Sequence, residues 1–429
     1  MQKQSVHFIL ILLSGLLTLS GCGKQSNSTE PKLVYWSANN PPEQEVARKA
    51  VNEWNQNHPE LQIHYQPVPE GQSSEEVILA AIVGRTTPDI YSNVWPGDVE
   101  FYVRANALVR LDDFDDCESF LKARTSEEMV ELSRSRNGGI YQVPWKTNPI
   151  MMLYNKKIFR DIGFEKPPKT YSEYLLAAER LSKKNTADDI RWIGIRDIRL
   201  DWWQRFFDFY TFYIAASGGN TLVRGDSVLF NNQAAVDVFT FFQTIYKKQY
   251  FPMQKGSMSG DLFLKSRIAT RFTGPWEINR AERFKPEGFE YDFAPVPVPD
   301  NYKGNRYTYG DPKNIVIFST CKYPEKAWEF VKFLVSKKND LRLLQKATQL
   351  PLRKNLLQDP WFQDYFEANP RLVPFARQAQ YIRGTDQTPV AKEIFDAISH
   401  EYEAAVIYNT KTAENAIHDA AKRVHLILE

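Results

Sequence analysis

An α/β architecture in two lobes, each a mainly parallel sheet flanked by helices, is what this sequence predicts. Three observations carry that expectation. The chain has 429 residues, more than a single hydrophobic core serves, so it divides. From Lys32 to Val94, segments with strand and helix patterns alternate, as consecutive βαβ units do. A second set of such segments begins near Ile140.

The first set opens with "KLVYW" (Lys32–Trp36), rich in β-formers. "PPEQEVARKAVNEWNQNHPE" then starts on two prolines and spaces Val46, Ala47, Ala50, Val51 and Trp54 along one helical face. "LQIHYQ" (Leu61–Gln66) alternates as a second strand, and Ser73 with Glu76 forms a capping box before the helix "VILAAIVG". "DIYSNV" (Asp89–Val94) is the third strand. Crossovers of this length favour parallel neighbours in a doubly wound sheet. Ligands of such sheets lie beyond the carboxyl ends of the strands, where Trp36–Asn39 and Ser92–Trp95 fall.

In the second set, "IYQVPW" and "IMMLYN" read as strands separated by Lys146, Thr147, Asn148 and Pro149. Thr170 and Glu173 make another capping box, and "RWIGI" reads as a strand. "DWWQRFFDFYTFYIAASGGN" reads as one long aromatic helix ending at Gly218-Gly219. "RIATRF" is a short strand leading into "TGPWEIN". Helices are expected over Asn232–Tyr250, Pro324–Ser336, Asp340–Thr348, Val390–Tyr408 and Ala413–Leu428.

The N-terminus bears on location. "FILILLSGLLTL" (Phe8–Leu19) follows Lys3. This apolar run is shorter than the ~20 residues of a membrane span and suits the apolar part of a secretory signal. "LSGC" (Leu19–Cys22) resembles the bacterial lipoprotein lipobox, which makes Cys22 the lipid-bearing first residue of the processed chain. A polar tract without periodicity comes next.

Composition narrows the chemistry. Lys and Arg number 54 against 52 Asp and Glu, a formal net charge of +2. That near-neutral balance argues against nucleic acid as a partner. There is no GxxxxGK[ST], HExxH or GxSxG, no CxxC pair, and the histidines show no metal spacing. "DDFDD" (Asp112–Asp116) lacks the glycine and terminal glutamate of a calcium loop. No cofactor, metal or catalytic residue is therefore expected. Cys117 and Cys321 are left, and an exported chain permits either free thiols or a disulfide.

The 10 Trp, 21 Tyr and 27 Phe are numerous, and many adjoin Gly, Pro, Asn, Asp or Arg. A sugar ring offers an apolar C–H face and an equator of hydroxyls, which aromatic rings and polar side chains match. Suitable pairs are Trp36 with Asn39, Trp95 with Asn93 and Asp98, Trp145 with Asn148, Trp203 with Asp201 and Arg205, and Trp276 with Glu277. Of the adjacent Trp202 and Trp203, at most one faces a cleft. Trp276, straight after Gly-Pro, has two roles open to it: a stacking platform, or a core residue packed under a loop.

The order of motifs resembles family 1 of the extracellular solute-binding proteins of bacterial ABC importers, mostly carbohydrate binders of the maltose-binding type. "VYWSANNPPEQEVARKAVNEWNQNHPELQIHYQPVP", "ILAAIVGRTTPDIYSNV" and "GIYQVPWKTNPIMMLYNKKIFRDIGFEKPPKTYSEYLLAAERL" carry the likeness in the first half. "AASGGN", "TGPWEI", "YDFAPVPVP", "DPKNIVIFSTCKYPEKAWEFVKFLVS" and "LPLRKN" carry it in the second. The resemblance implies a two-lobed periplasmic-binding-protein fold of type II with the ligand cleft between the lobes. Residues 1–21 would be a lipoprotein signal peptide and 22–31 a tether. The N-terminal lobe would hold 32–145 and 300–347, and the C-terminal lobe 146–299 and 348–429. It also implies that Trp276 stacks on sugar, that Gly310 and Asp311 lie in a crossing loop near the ligand, and that Arg353 lies near the cleft. The implied partners are a carbohydrate, the transmembrane permease subunits of an importer with its cytoplasmic ATPase, and a membrane reached through lipid on Cys22. The expected protein is a monomer outside the cytoplasm. A charged sugar derivative or glycerol phosphodiester is the alternative ligand, and a secreted glycosidase the alternative class.

Overall fold

The structure is a computed structural model that describes residues 32–70, 73–253 and 260–429. The expected signal segment, the lipidated Cys22 and the tether through residue 31 lie outside the described residues. Among the described residues, thirteen strands follow in chain order. They are β1 (Lys32–Ser37), β2 (Gln62–Pro67), β3 (Ile90–Val94), β4 (Val143–Thr147), β5 (Met151–Asn155), β6 (Val223–Arg224) and β7 (Ser227–Val228). After them come β8 (Thr270–Thr273), β9 (Tyr291–Ala294), β10 (Thr308–Tyr309), β11 (Lys313–Ile317), β12 (Leu350–Pro351) and β13 (Ile382–Arg383).

A six-stranded sheet has the order β12-β4-β11-β3-β1-β2. β1 pairs in parallel with β2 and β3, as the βαβ pattern requires. β11 is antiparallel to β3 and β4, and β12 is antiparallel to β4. The second sheet, β8-β5-β9, is antiparallel throughout. The expectation of mainly parallel sheets is thus corrected. β4, β11 and β12 join the sheet from distant parts of the chain, so no right-handed crossover fixes their direction.

Local chemistry explains the helices that flank the first sheet. Asn40 caps the Pro41–Asn57 helix by accepting from the Glu43 N–H, and Ser73 caps Ser74–Gly84 by accepting from Glu76. Thr170 accepts from Glu173 N–H, while the Glu173 carboxylate returns to the Lys169 N–H at 2.6 Å. The "DWWQRFF" segment departs from its pattern. A 3₁₀ turn at Trp202–Phe206 gives way to a separate helix, Phe209–Ala216. Asp208 causes the break, because its carboxylate takes the Phe209 N–H at 2.6 Å and caps a new helix. "RWIGI" makes only a single bridge, Trp192 to Ile268.

One core gathers Leu33, Val51, Trp54, Ile315, Trp328 and Phe330 under the parallel strands. Cys117 and Cys321 lie in it as free thiols, each pushed up to about 12 by burial. A second, larger core holds Tyr174, Phe209, Phe212, Phe242, Ile398 and Tyr402. A third, with Met151, Leu153, Phe293 and Phe375, packs beneath the Trp276–Phe284 helix. Between the first and the other two, the chain passes from β4 into β5. There Asn148 N–H donates to Gly310 O at 2.6 Å and Thr147 Oγ1 donates to the same carbonyl at 2.7 Å.

Candidate functional site

The end of β1, the start of the Pro41–Asn57 helix, β4 and β11 meet the Trp276 helix around a cavity of about 600 Å³. Trp276 is the first residue of its helix, and its indole folds back over Gly274. A Cβ at Gly274 would lie 2.1 Å from that ring, so glycine is what lets the indole occupy this place. One part of the ring packs on the second core and the rest lines the cavity.

Polar groups stand around the same space. Glu43 and Lys146 form a buried ion pair at 2.5 Å, their side chains 3% and 1% exposed. Asn40 Nδ2 and Gln349 Nε2 each donate to Glu43 Oε1 at 2.9 Å. Burial opposes the Glu43 charge, but Lys146 and these donors outweigh it and hold the carboxyl below its usual range. Lys313 sits 3.4 Å from Asp311; burial works against its ammonium, yet Asp311 keeps it above its usual value. Asn148 Oδ1 and Gln349 Oε1 are buried acceptors without a protein partner. Buried acceptors are normally satisfied, so two unpartnered ones on residues that line the cavity set this wall apart.

The sequence-derived candidates divide. Trp276, Asn93, Asn148 and Asp311 line the cavity. Gly310 backs it through its carbonyl, and a Cβ there would meet Thr147 Oγ1 at 2.8 Å. The others do not line it. Trp36 is buried beside Val68, Tyr91 and Val316 because β1 turns it inward. Asn39 is exposed and accepts from Gln44, while its neighbour Asn40 faces the cavity. Trp95 packs against Trp202 and Phe206 at 5.3 and 5.6 Å. Trp145 is buried in the first core, with the Lys146 ammonium 4.6 Å over its ring. Trp202 is the half-buried partner of the pair and Trp203 points outward, 41% exposed. Glu277 is held by Arg271 at 2.9 Å, and Arg353 by Asp340 and by Val335 O.

Sequence reasoning missed Asn40, Glu43, Lys146, Lys313 and Gln349. One signal was available: Lys146 interrupts an apolar strand whose every residue is buried. A lysine fully buried in a strand needs a carboxylate, and Glu43 supplies it.

A second cavity of about 600 Å³ lies between residues 128–144 and 382–387, but no aromatic ring lines it. The first one, with an indole and two unpartnered acceptors on its lining residues, lies between segments of separate cores and is the candidate site. Comparison with known proteins gives the family. Residues 38–340 match the family of bacterial extracellular solute-binding proteins. The maltotriose-binding protein of Pyrococcus abyssi is 23% identical over 357 residues, which cover 82% of this chain and 72% of that protein. An uncharacterized Listeria monocytogenes protein superposes with a TM-score of 0.82 at 26% identity, covering 93% of this chain and 100% of that one. The sugar-binding protein MalE of Xanthomonas citri superposes with a TM-score of 0.77 at 18% identity, covering 92% and 97%. The chain belongs to the bacterial extracellular solute-binding protein family, whose members are binding proteins with this two-lobed fold.

Proposed function

We propose that this protein captures a neutral carbohydrate, a mono- or oligosaccharide, outside the cytoplasm and delivers it to an ABC permease. One observation carries the reading: the Trp276 indole shares a cavity with two orphan acceptors, Asn148 Oδ1 and Gln349 Oε1. The ring suits the C–H face of a sugar, and the acceptors suit its hydroxyl protons. Of the four cationic side chains that line the cavity, three already have a carboxylate, Lys146 with Glu43, Lys313 with Asp311 and Arg280 with Asp261, and this near-balance favours a neutral ligand over a charged derivative. The maltotriose-binding protein of Pyrococcus abyssi and the sugar-binding MalE of Xanthomonas citri, both similar to this chain, support the same class.

In this reading Cys22 carries the lipid that tethers a monomer to its membrane. Residues 32–145 with 300–347 form one lobe, and 146–299 with 348–429 the other. Sugar contacts to both lobes favour the closed form, which docks on the permease while a separate ATPase supplies energy. The protein binds without catalysing, because Glu43 and Asp311 are engaged by lysines rather than free to attack a glycoside.

Titration of intrinsic tryptophan fluorescence with a saccharide panel that includes maltotriose tests this. A saturable change lost in Trp276→Ala is expected. No response to any neutral sugar, or a response only to charged ligands that high salt abolishes, overturns it.

A further inference from the structure

One face of the Trp276–Phe284 helix serves the third core, through Ile278 and Ala281. The opposite face carries Trp276, Asn279, Arg280, Arg283 and Phe284 at three- and four-residue spacing, and all five line the cavity of the candidate site. That cavity therefore runs along the helix from its first residue to its last. The helix is nine residues long, so the two aromatic residues at its ends stand about 12 Å apart along the axis. A single pyranose is shorter than that. Stacked on Trp276, it leaves Phe284 uncovered, whereas a short oligosaccharide covers both.

Phe284 is 60% exposed, the most exposed phenylalanine among the described residues. The turn that carries it is nevertheless pinned. The Glu282 carboxylate accepts from the Tyr291 hydroxyl at 2.6 Å and from Lys285 at 2.7 Å, and pairs with Arg371 at 2.9 Å. The Lys285 N–H donates to Ala281 O at 2.8 Å and closes the helix. Arg283 lies 5.0 Å from the centre of the Phe284 ring. An apolar ring kept exposed on the wall of a polar cavity gains when a guest with an apolar face covers it. Asn279, exposed between the two aromatic residues along the helix, offers its amide to the hydroxyls of sugar units that span them.

We propose that Phe284 is a second stacking platform and that it sets ligand length. The site takes an oligosaccharide, one unit on Trp276 and a later unit on Phe284, in preference to the monosaccharide of the same sugar. This inference rests on the reading of the cavity as a site for neutral sugar.

Calorimetric titration of the natural protein, Phe284→Ala and Phe284→Tyr tests it. Each sugar of the panel is supplied as monosaccharide and as trisaccharide, with glucose and maltotriose, and galactose and galactotriose, among the pairs. In the natural protein the trisaccharide should bind about tenfold or more tightly than its monosaccharide. Phe284→Ala should weaken trisaccharide binding about tenfold and narrow that gap, while Phe284→Tyr, which keeps the ring, should preserve it. The melting temperature of both variants should match that of the natural protein, because the ring packs in no core. Equal affinity for monosaccharide and trisaccharide, or a trisaccharide affinity that Phe284→Ala leaves unchanged, overturns the second platform and leaves the sugar reading standing. Absence of binding across the whole panel overturns both.

Discussion

At Lys146 a single side chain couples the site to the fold. Its ammonium is 1% exposed and its ion-pair partner is Glu43. Lys146→Met leaves the Glu43 carboxylate buried beside neutral donors. Breaking such a pair from one side costs about 3–5 kcal/mol. Adding Glu43→Gln to that variant should recover most of the loss, and chemical denaturation of the four variants measures the coupling. Gly274 makes a second residue-scale case. Gly274→Ala drives a methyl into the Trp276 indole, so fluorescence should report a displaced tryptophan and sugar affinity should fall about tenfold, ~1.4 kcal/mol. Unchanged emission and affinity would show that the ring does not need this bed. At this scale the sequence was legible where a local rule spoke. Gly-Pro before Trp276 marked an aromatic placed by a turn, and it lines the cavity. Trp36, Trp95 and Trp145 carried the same composition signal, yet strand alternation and tertiary packing turned them inward.

Among elements, the strand that leaves the first core is held by a buried clamp. Arg124 donates to Trp145 O at 3.0 Å and to Val335 O at 2.6 Å, and pairs with Asp340 at 2.6 Å. Arg353 joins the same carboxylate from the segment after β12, whose Leu352 N–H donates to Trp145 O at 2.8 Å. Two guanidiniums thus depend on Asp340, which is fully buried. Asp340→Asn keeps the shape and removes the charge. The expected loss is about 3 kcal/mol or more in denaturant unfolding, with Trp276 still in its native fluorescence environment. Element existence was largely readable because caps and periodicity are local. Ser73 and Thr170 begin their helices where the capping boxes predicted. What escaped was competition between neighbours. Asp208 could propagate a helix or cap one, and its carboxylate chose the cap. Arg353 looked like a ligand-facing arginine because nothing near it in sequence announces Asp340, thirteen residues earlier in the Lys337–Ala347 helix.

For the whole molecule, sheet direction shows why the fold class was readable and its detail was not. The three strands joined by short βα units run parallel as expected, whereas those returning from the other half do not. Segment order in space cannot be read from periodicity alone. The same long-range assembly brings Lys392, at the start of the Ala391–Tyr402 helix, to 3.3 Å from Asp98, which follows β3. Glu75 and Glu393 line the same small cavity. Burial, with a smaller push from Glu75, raises Asp98 to about 6 despite Lys392. A carboxyl raised in the folded state holds its proton while the unfolded chain, near 3.8, releases one. Its contribution is therefore most favourable below pH ~4, falls as pH rises to ~6, and is flat above; the shift corresponds to roughly 2–3 kcal/mol. The charged link to Lys392 strengthens over the same window, as Asp98 ionises. Asp98→Asn lacks both effects. The melting temperature of the variant relative to the natural protein should thus climb between pH 4 and 6 and stay level from 6 to 8. A difference that is constant from pH 4 to 8 would place the Asp98 carboxyl at an ordinary value and remove this pair as a pH-dependent link between the two halves of the chain.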